Sequence, residues 1–61
     1  MELIYVQFAD ETEEVIISYF AAPQNPVMFP NQAAIYTNDP RWKVYYDKLP
    51  DEVKVTFPAP V

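Results

Sequence analysis

The segment Asp39-Pro40-Arg41-Trp42 constrains this chain more than any other. Aspartate before a helix accepts from free backbone N–H groups, and proline at the first helical position loses a hydrogen bond it would not have made. Ten residues on, Pro50 blocks continuation. The spacing predicts a helix that starts within one residue of Pro40 and ends by Leu49. Trp42, Tyr45, Tyr46 and Leu49 fall at i, i+3, i+4 and i+7, one apolar stripe of that helix. Lys48 in its last turn suits the macrodipole.

The residues before it are braced differently. Pro23, Pro26 and Pro30 each fix φ and turn their predecessors away from helix. Residues 21–32 therefore read as an extended, ordered loop, and its apolar centre Val27-Met28-Phe29 predicts that it lies on a sheet. That sheet begins at the N-terminus. Residues 2–9 read as a strand with Leu3, Tyr5 and Gln7 on one side and Ile4, Val6 and Phe8 on the other. Residues 13–20 read as a second, with Val15, Ile17 and Tyr19 opposite Ile16, Ser18 and Phe20. Asp10-Glu11-Thr12 joins them as an antiparallel hairpin. A third strand is expected at residues 33–37 and a short final one at 53–57, where Val53, Val55 and Phe57 alternate with polar residues. The chain has no glycine, so Asn25, Asn31 and Asn38 are the natural residues for any left-handed backbone position.

The expected architecture is α+β: an N-terminal antiparallel β-hairpin, a Pro-rich loop and one short helix packed on a small sheet. It forms a single domain over residues 1–61, with residues 58–61 a flexible tail. A chain this short buries only about 60% of its unfolded surface. With no Cys and no His, disulfides, thiolates and imidazole cannot reinforce it. Both hairpin faces are apolar, so one packs on the chain and the other is exposed or covered by a partner. A homodimer is one way to cover it.

Charge is segregated. Glu2, Asp10, Glu11, Glu13 and Glu14 carry the whole net charge of −5, because the four later carboxylates are balanced by Arg41, Lys43, Lys48 and Lys54. Such a field repels phosphate backbones, so direct nucleic-acid binding is not expected. No run approaches the roughly 20 apolar residues of a membrane span. No metal or other cofactor is expected: the acidic cluster lacks the alternating oxygen ligands and glycine of a calcium loop. Its plain reading is a solvated hairpin tip that discourages edge pairing. A second reading makes it an imitation of nucleic-acid phosphate, in a small acidic inhibitor of a host nucleic-acid-binding protein. Asp39, Asp47 and Asp51 are formally available as paired carboxylates, but the first is explained as a cap and the others flank the helix end. Ser18 has no base in reach. The chain reads as non-enzymatic. Its ten aromatic residues exceed what so small a core hides, and aromatic anchors favour interfaces. Phe29, Trp42, Tyr45 and Tyr46 are the candidate protein-binding residues, and Asp10, Glu11, Glu13 and Glu14 the candidate acidic surface.

Three elements together carry a resemblance: Phe8-Ala9-Asp10, the loop Pro23-Gln24-Asn25-Pro26…Pro30-Asn31-Gln32, and Asp39-Pro40-Arg41-Trp42 followed by Tyr45-Tyr46 and Leu49-Pro50. Over residues 5–50 the chain resembles small proteins of tailed bacteriophages and prophages encoded near tail or tail-fibre genes. It departs from them at Ala33, where glycine is more usual. The resemblance implies a tail-associated or host-interaction role, a phage tail or host protein as partner, and a place in the bacterial cytoplasm or the virion. It implies no catalytic residue.

Overall fold

The computed structural model describes residues 1–61. The N-terminal run forms β1 (Leu3–Phe8), the β-branched run β2 (Ile16–Phe20), and the residues after the proline loop β3 (Gln32–Tyr36). Both β2 and β3 pair antiparallel with β1, giving the order β2-β1-β3. Two helices follow, α1 (Pro40–Asp47) and α2 (Asp51–Lys54). The α+β class, the hairpin, the proline loop and the helix on a small sheet are as the sequence predicts.

Alternation decides which side of the sheet is core. Ile4, Val6 and Phe8 of β1 are buried, together with Ile35 of β3 and Ile16 of β2. Leu3, Tyr5 and Gln7 point to the other side. α1 closes the inner side with Trp42, and Tyr19, Ala33, Tyr45, Tyr46 and Phe57 pack around that core. Thr37 is the one buried polar residue; its hydroxyl accepts from the Glu2 N–H at 3.1 Å, so the group is satisfied.

α1 begins where the sequence places it. The Asp39 carboxylate accepts from the Arg41 backbone N–H at 2.9 Å, and Pro40 is the first helical residue. Lys48, expected in the last turn, instead closes the helix as its C-cap residue: its N–H donates to Tyr45 O at 3.2 Å, and the following Leu49 N–H donates to Tyr46 O at 3.0 Å.

Three expectations about strands and backbone turns are corrected. First, β2 starts at Ile16 rather than residue 13, and its faces differ. Gln7 pairs with Ser18 but Phe8 pairs with Ile16, so Ile17 is an extra residue in a β-bulge. The bulge sends both Ile16 and Tyr19 inward and leaves Ile17 exposed. Second, residues 53–57 are not a strand. Pro50, extended at φ −60°, starts the short helix α2; Asp51 and Glu52 fill its first turn, and the Val53 and Lys54 N–H groups both donate to Pro50 O at 3.0 Å. Val53 and Phe57, four apart, are then the half-buried pair, while Val55 between them is exposed. Third, of the three asparagines only Asn31 takes positive φ (62°); the other such residue is Glu13 (57°).

Residues 58–61, predicted to be loose, run back along α1. The Trp42 indole N–H donates to Pro58 O at 3.1 Å and the Val61 N–H to Thr37 O at 3.2 Å.

Glu13 supplies a prediction. A left-handed residue with a Cβ costs about 1–2 kcal/mol, and glycine avoids this at a smaller entropic cost. Glu13→Gly should therefore raise stability by about 0.5–1 kcal/mol in urea titration. A fall in the midpoint would show that the Glu13 side chain does more than tolerate its backbone.

Candidate interaction surface

β2 and β3 flank β1 and both run against it, so they are parallel to each other, and residues 21–31 must cross the sheet to join them. They cross its outer side. The Phe29 ring meets the Phe20 ring edge-on at 5.2 Å, and Phe20 lies beside Tyr5 on the outer face. Gln32, also on that face, accepts from the Gln24 N–H at 3.0 Å and donates to Gln24 O and Phe29 O at 3.0 and 2.7 Å. A tight turn shapes the crest: the Asn25 side chain accepts from the Val27 N–H, and Asn25 O accepts from the Phe29 N–H, both at 2.9 Å. With Phe29 turned down onto Phe20, Val27 and Met28 stand out at 88% and 73% exposure. Asn31 then turns the chain into β3 at positive φ, so Ala33 needs no glycine-like backbone.

The same side of the sheet leaves Leu3 and Tyr36 open at 45% and 53%, directly opposite each other across β1 and β3. Ala34 beside them is also exposed. Leu3, Ala34 and Tyr36 thus give this side an exposed, uncharged strip, and Val27 and Met28 stand out from the loop that crosses the same side. None of these five was a candidate binding residue on the sequence alone. The signal was present: β1 is apolar on both faces at Leu3 and Tyr5, and Val27-Met28 sits between two prolines where no core-forming periodicity exists.

The four aromatic candidates lie on two sides of the sheet. Trp42 is 0% exposed, enclosed by its own chain; its ring sits 5.4 Å from Tyr19, 5.7 Å from Tyr45 and 6.1 Å from Tyr46. Tyr45 and Tyr46 are half-buried beside it. Burial raises the Tyr45 phenol pKa above its ordinary value. The Tyr46 hydroxyl donates to Lys54 O at 3.3 Å, and the Lys54 ammonium stands 5.7 Å over its ring. Phe29, half-buried, belongs to the outer side as the loop's anchor.

The acidic residues form a structured turn. The Asp10 carboxylate accepts from the Thr12 N–H at 2.9 Å and from the Thr12 hydroxyl, and these bonds hold its pKa below the usual carboxylate range. Asp10, Glu11, Glu13 and Glu14 are all exposed, and no three carboxylates converge. Arg41 reaches the turn from α1 and donates to Glu13 O at 2.6 Å. The open depression elsewhere is lined by Lys43, Tyr46, Asp47, Ala59, Pro60 and Val61, and its two charged groups pair with each other at 2.9 Å. No helix is long and apolar enough to cross a membrane.

No protein-family model, curated protein or solved structure matches this chain.

Proposed function

We propose that this chain is a non-enzymatic bacteriophage or prophage protein that acts by protein–protein contact, in tail structure or tail assembly. The observation that carries the contact reading is the outer side of the sheet. Uncharged Leu3, Ala34, Tyr36, Val27 and Met28 stand open there, while the helical aromatics are occupied by the core. A contiguous exposed apolar patch marks an interaction site, and the Leu3–Ala34–Tyr36 strip with the loop crest beside it is the candidate for one. The tail assignment rests on the resemblance of the proline loop and helix start.

The test is quantitative recovery of the chain with virions or tail-assembly intermediates of the phage that encodes it. Tyr36→Ala and Met28→Ala should each lower recovery about tenfold while leaving the fold intact. Replacing Glu11, Glu13 and Glu14 by Gln should alter association rate and salt dependence with little effect on recovery. If the triple variant alone loses its partner, and that partner binds nucleic acid, the acidic-inhibitor reading replaces this one. Absence of the chain from both virions and intermediates rejects the tail role.

A further inference from the structure

β3 carries a second contact element, independent of the exposed side chains above: its own backbone. In an antiparallel ladder, hydrogen-bonded and non-hydrogen-bonded pairs alternate. Phe8 N–H donates to Asn31 O at 2.9 Å and Thr37 N–H to Glu2 O at 3.0 Å, which fixes the phase at both ends of β3. Between them, Ala33 and Ile35 point their backbone groups at β1, and Gln32, Ala34 and Tyr36 point theirs away. Tyr36 O is occupied by the Asp39 N–H at 2.9 Å. The N–H and C=O of Gln32 and Ala34 and the N–H of Tyr36 remain on an open edge.

Sheet edges are ordinarily blunted by charge, proline or a bulge. The β2 edge has its bulge at Ile17 and the acidic turn leading into it. β3 (QAAIY) has none of these, and its centre is alanine, which leaves the approach to the backbone clear. α1 packs on the opposite edge, over β2.

We infer that β3 pairs with β3 of a second copy of this chain, antiparallel about a two-fold axis at Ala34, to make a continuous six-stranded sheet. The edge is self-complementary. Ala34 and its counterpart exchange two backbone hydrogen bonds, and each Tyr36 N–H meets the partner's Gln32 carbonyl. No charged residue lies in the paired segment, and the two-fold sends the acidic turns to opposite ends of the joined sheet. The same pairing sets the two outer faces side by side, as isologous dimers require.

Two five-residue strands make an interface at the small, transient end of the range, below about 1,200 Å² in total. Sedimentation velocity of the full chain should therefore show a monomer–dimer equilibrium within a series from about 10 µM to about 1 mM. Ala34→Lys opposes like charges on the axis, and Ala34→Pro removes the edge N–H at a position where edge strands tolerate proline. Each should weaken dimerisation at least tenfold with an unchanged circular dichroism spectrum. The chain has no cysteine, so Ala34→Cys gives a clean third readout. Opposite residues in a hydrogen-bonded pair have Cα atoms about 5.5 Å apart, within the span a disulfide accepts. Mild oxidation should trap the Ala34→Cys dimer and not an Ile17→Cys dimer on the β2 edge. A chain that stays monomeric at the highest concentration, a dimer that survives in folded Ala34→Lys, or trapping at Ile17 in place of Ala34 overturns the inference.

Discussion

Trp42→Ala is expected to remove most of the stability of this chain. Total stability for 61 residues is about 3–9 kcal/mol at the usual 0.05–0.15 kcal/mol per residue. Truncating a buried tryptophan costs about 3–5 kcal/mol. Here the indole is fully buried, and Tyr19, Tyr45, Tyr46 and Phe57 all pack against it, so few neighbours are free to collapse into the cavity. The same substitution removes one of the two hydrogen bonds that hold the C-terminal segment, the one from the indole N–H to Pro58 O. Trp42→Phe separates the two contributions. It keeps an aromatic ring in the core and loses only the hydrogen bond and part of the volume, so its cost should be nearer 1–2 kcal/mol. Urea titration followed by circular dichroism measures both. A melting midpoint for Trp42→Ala within a few degrees of the parent chain would refute the central role given to this residue.

The features legible in the sequence are those that act over a few residues. Asp39-Pro40 and Pro50 bracket α1 through capping and a missing N–H, which are local effects, whatever packing then holds the helix on the sheet. Asn31 turns the chain at positive φ because its short amide side chain tolerates that region. The bulge at Ile17 was hidden, since register depends on which β1 residue each β2 residue meets. Glu13 was hidden for a related reason. Nothing in a glutamate side chain favours φ 57°, but the turn imposes it: Glu13 N–H donates to Asp10 O at 3.3 Å, Ala9 N–H to Val15 O at 2.8 Å, and Arg41 to Glu13 O. Residues 53–57 satisfied two periods at once. Val53, Val55 and Phe57 alternate, yet Val53 and Phe57 are also four apart, and the helix start at Pro50-Asp51-Glu52 prevails over the alternation. The aromatic surplus was legible as a quantity. Its location was not, because the stripe that looked available for binding is what the sheet's inner face required. The open apolar residues emerged where the proline loop crosses the other face.

Asp39→Ala should cost about 2 kcal/mol, because that carboxylate serves three purposes. It caps α1 through the Arg41 backbone N–H, a contribution of about 0.5–2 kcal/mol. It also holds the Arg41 guanidinium by two further bonds, at 3.0 Å to Nε and 2.7 Å to Nη2. The pair is partly exposed, so solvent screening limits it to at most about 1 kcal/mol. So held, the guanidinium lies 4.7 Å over the Phe8 ring and donates to Glu13 O, joining the helix start to the β1–β2 turn. Asp39→Asn keeps a competent cap and removes the charge, so it should cost less than Asp39→Ala. The two also differ in pH response. Hydrogen bonding from Arg41, chiefly from its side chain, lowers the Asp39 pKa below the usual carboxylate range. Near that pKa the unfolded chain binds more protons than the folded one, so stability rises with pH. The contribution is complete above the unfolded pKa of about 3.9 and is lost as pH falls through the lower folded value. Parent and Asp39→Asn should therefore differ most at neutral pH and converge in acid. Equal loss of stability on acidification in both chains would show that Asp39 titrates without an energetic link to the fold.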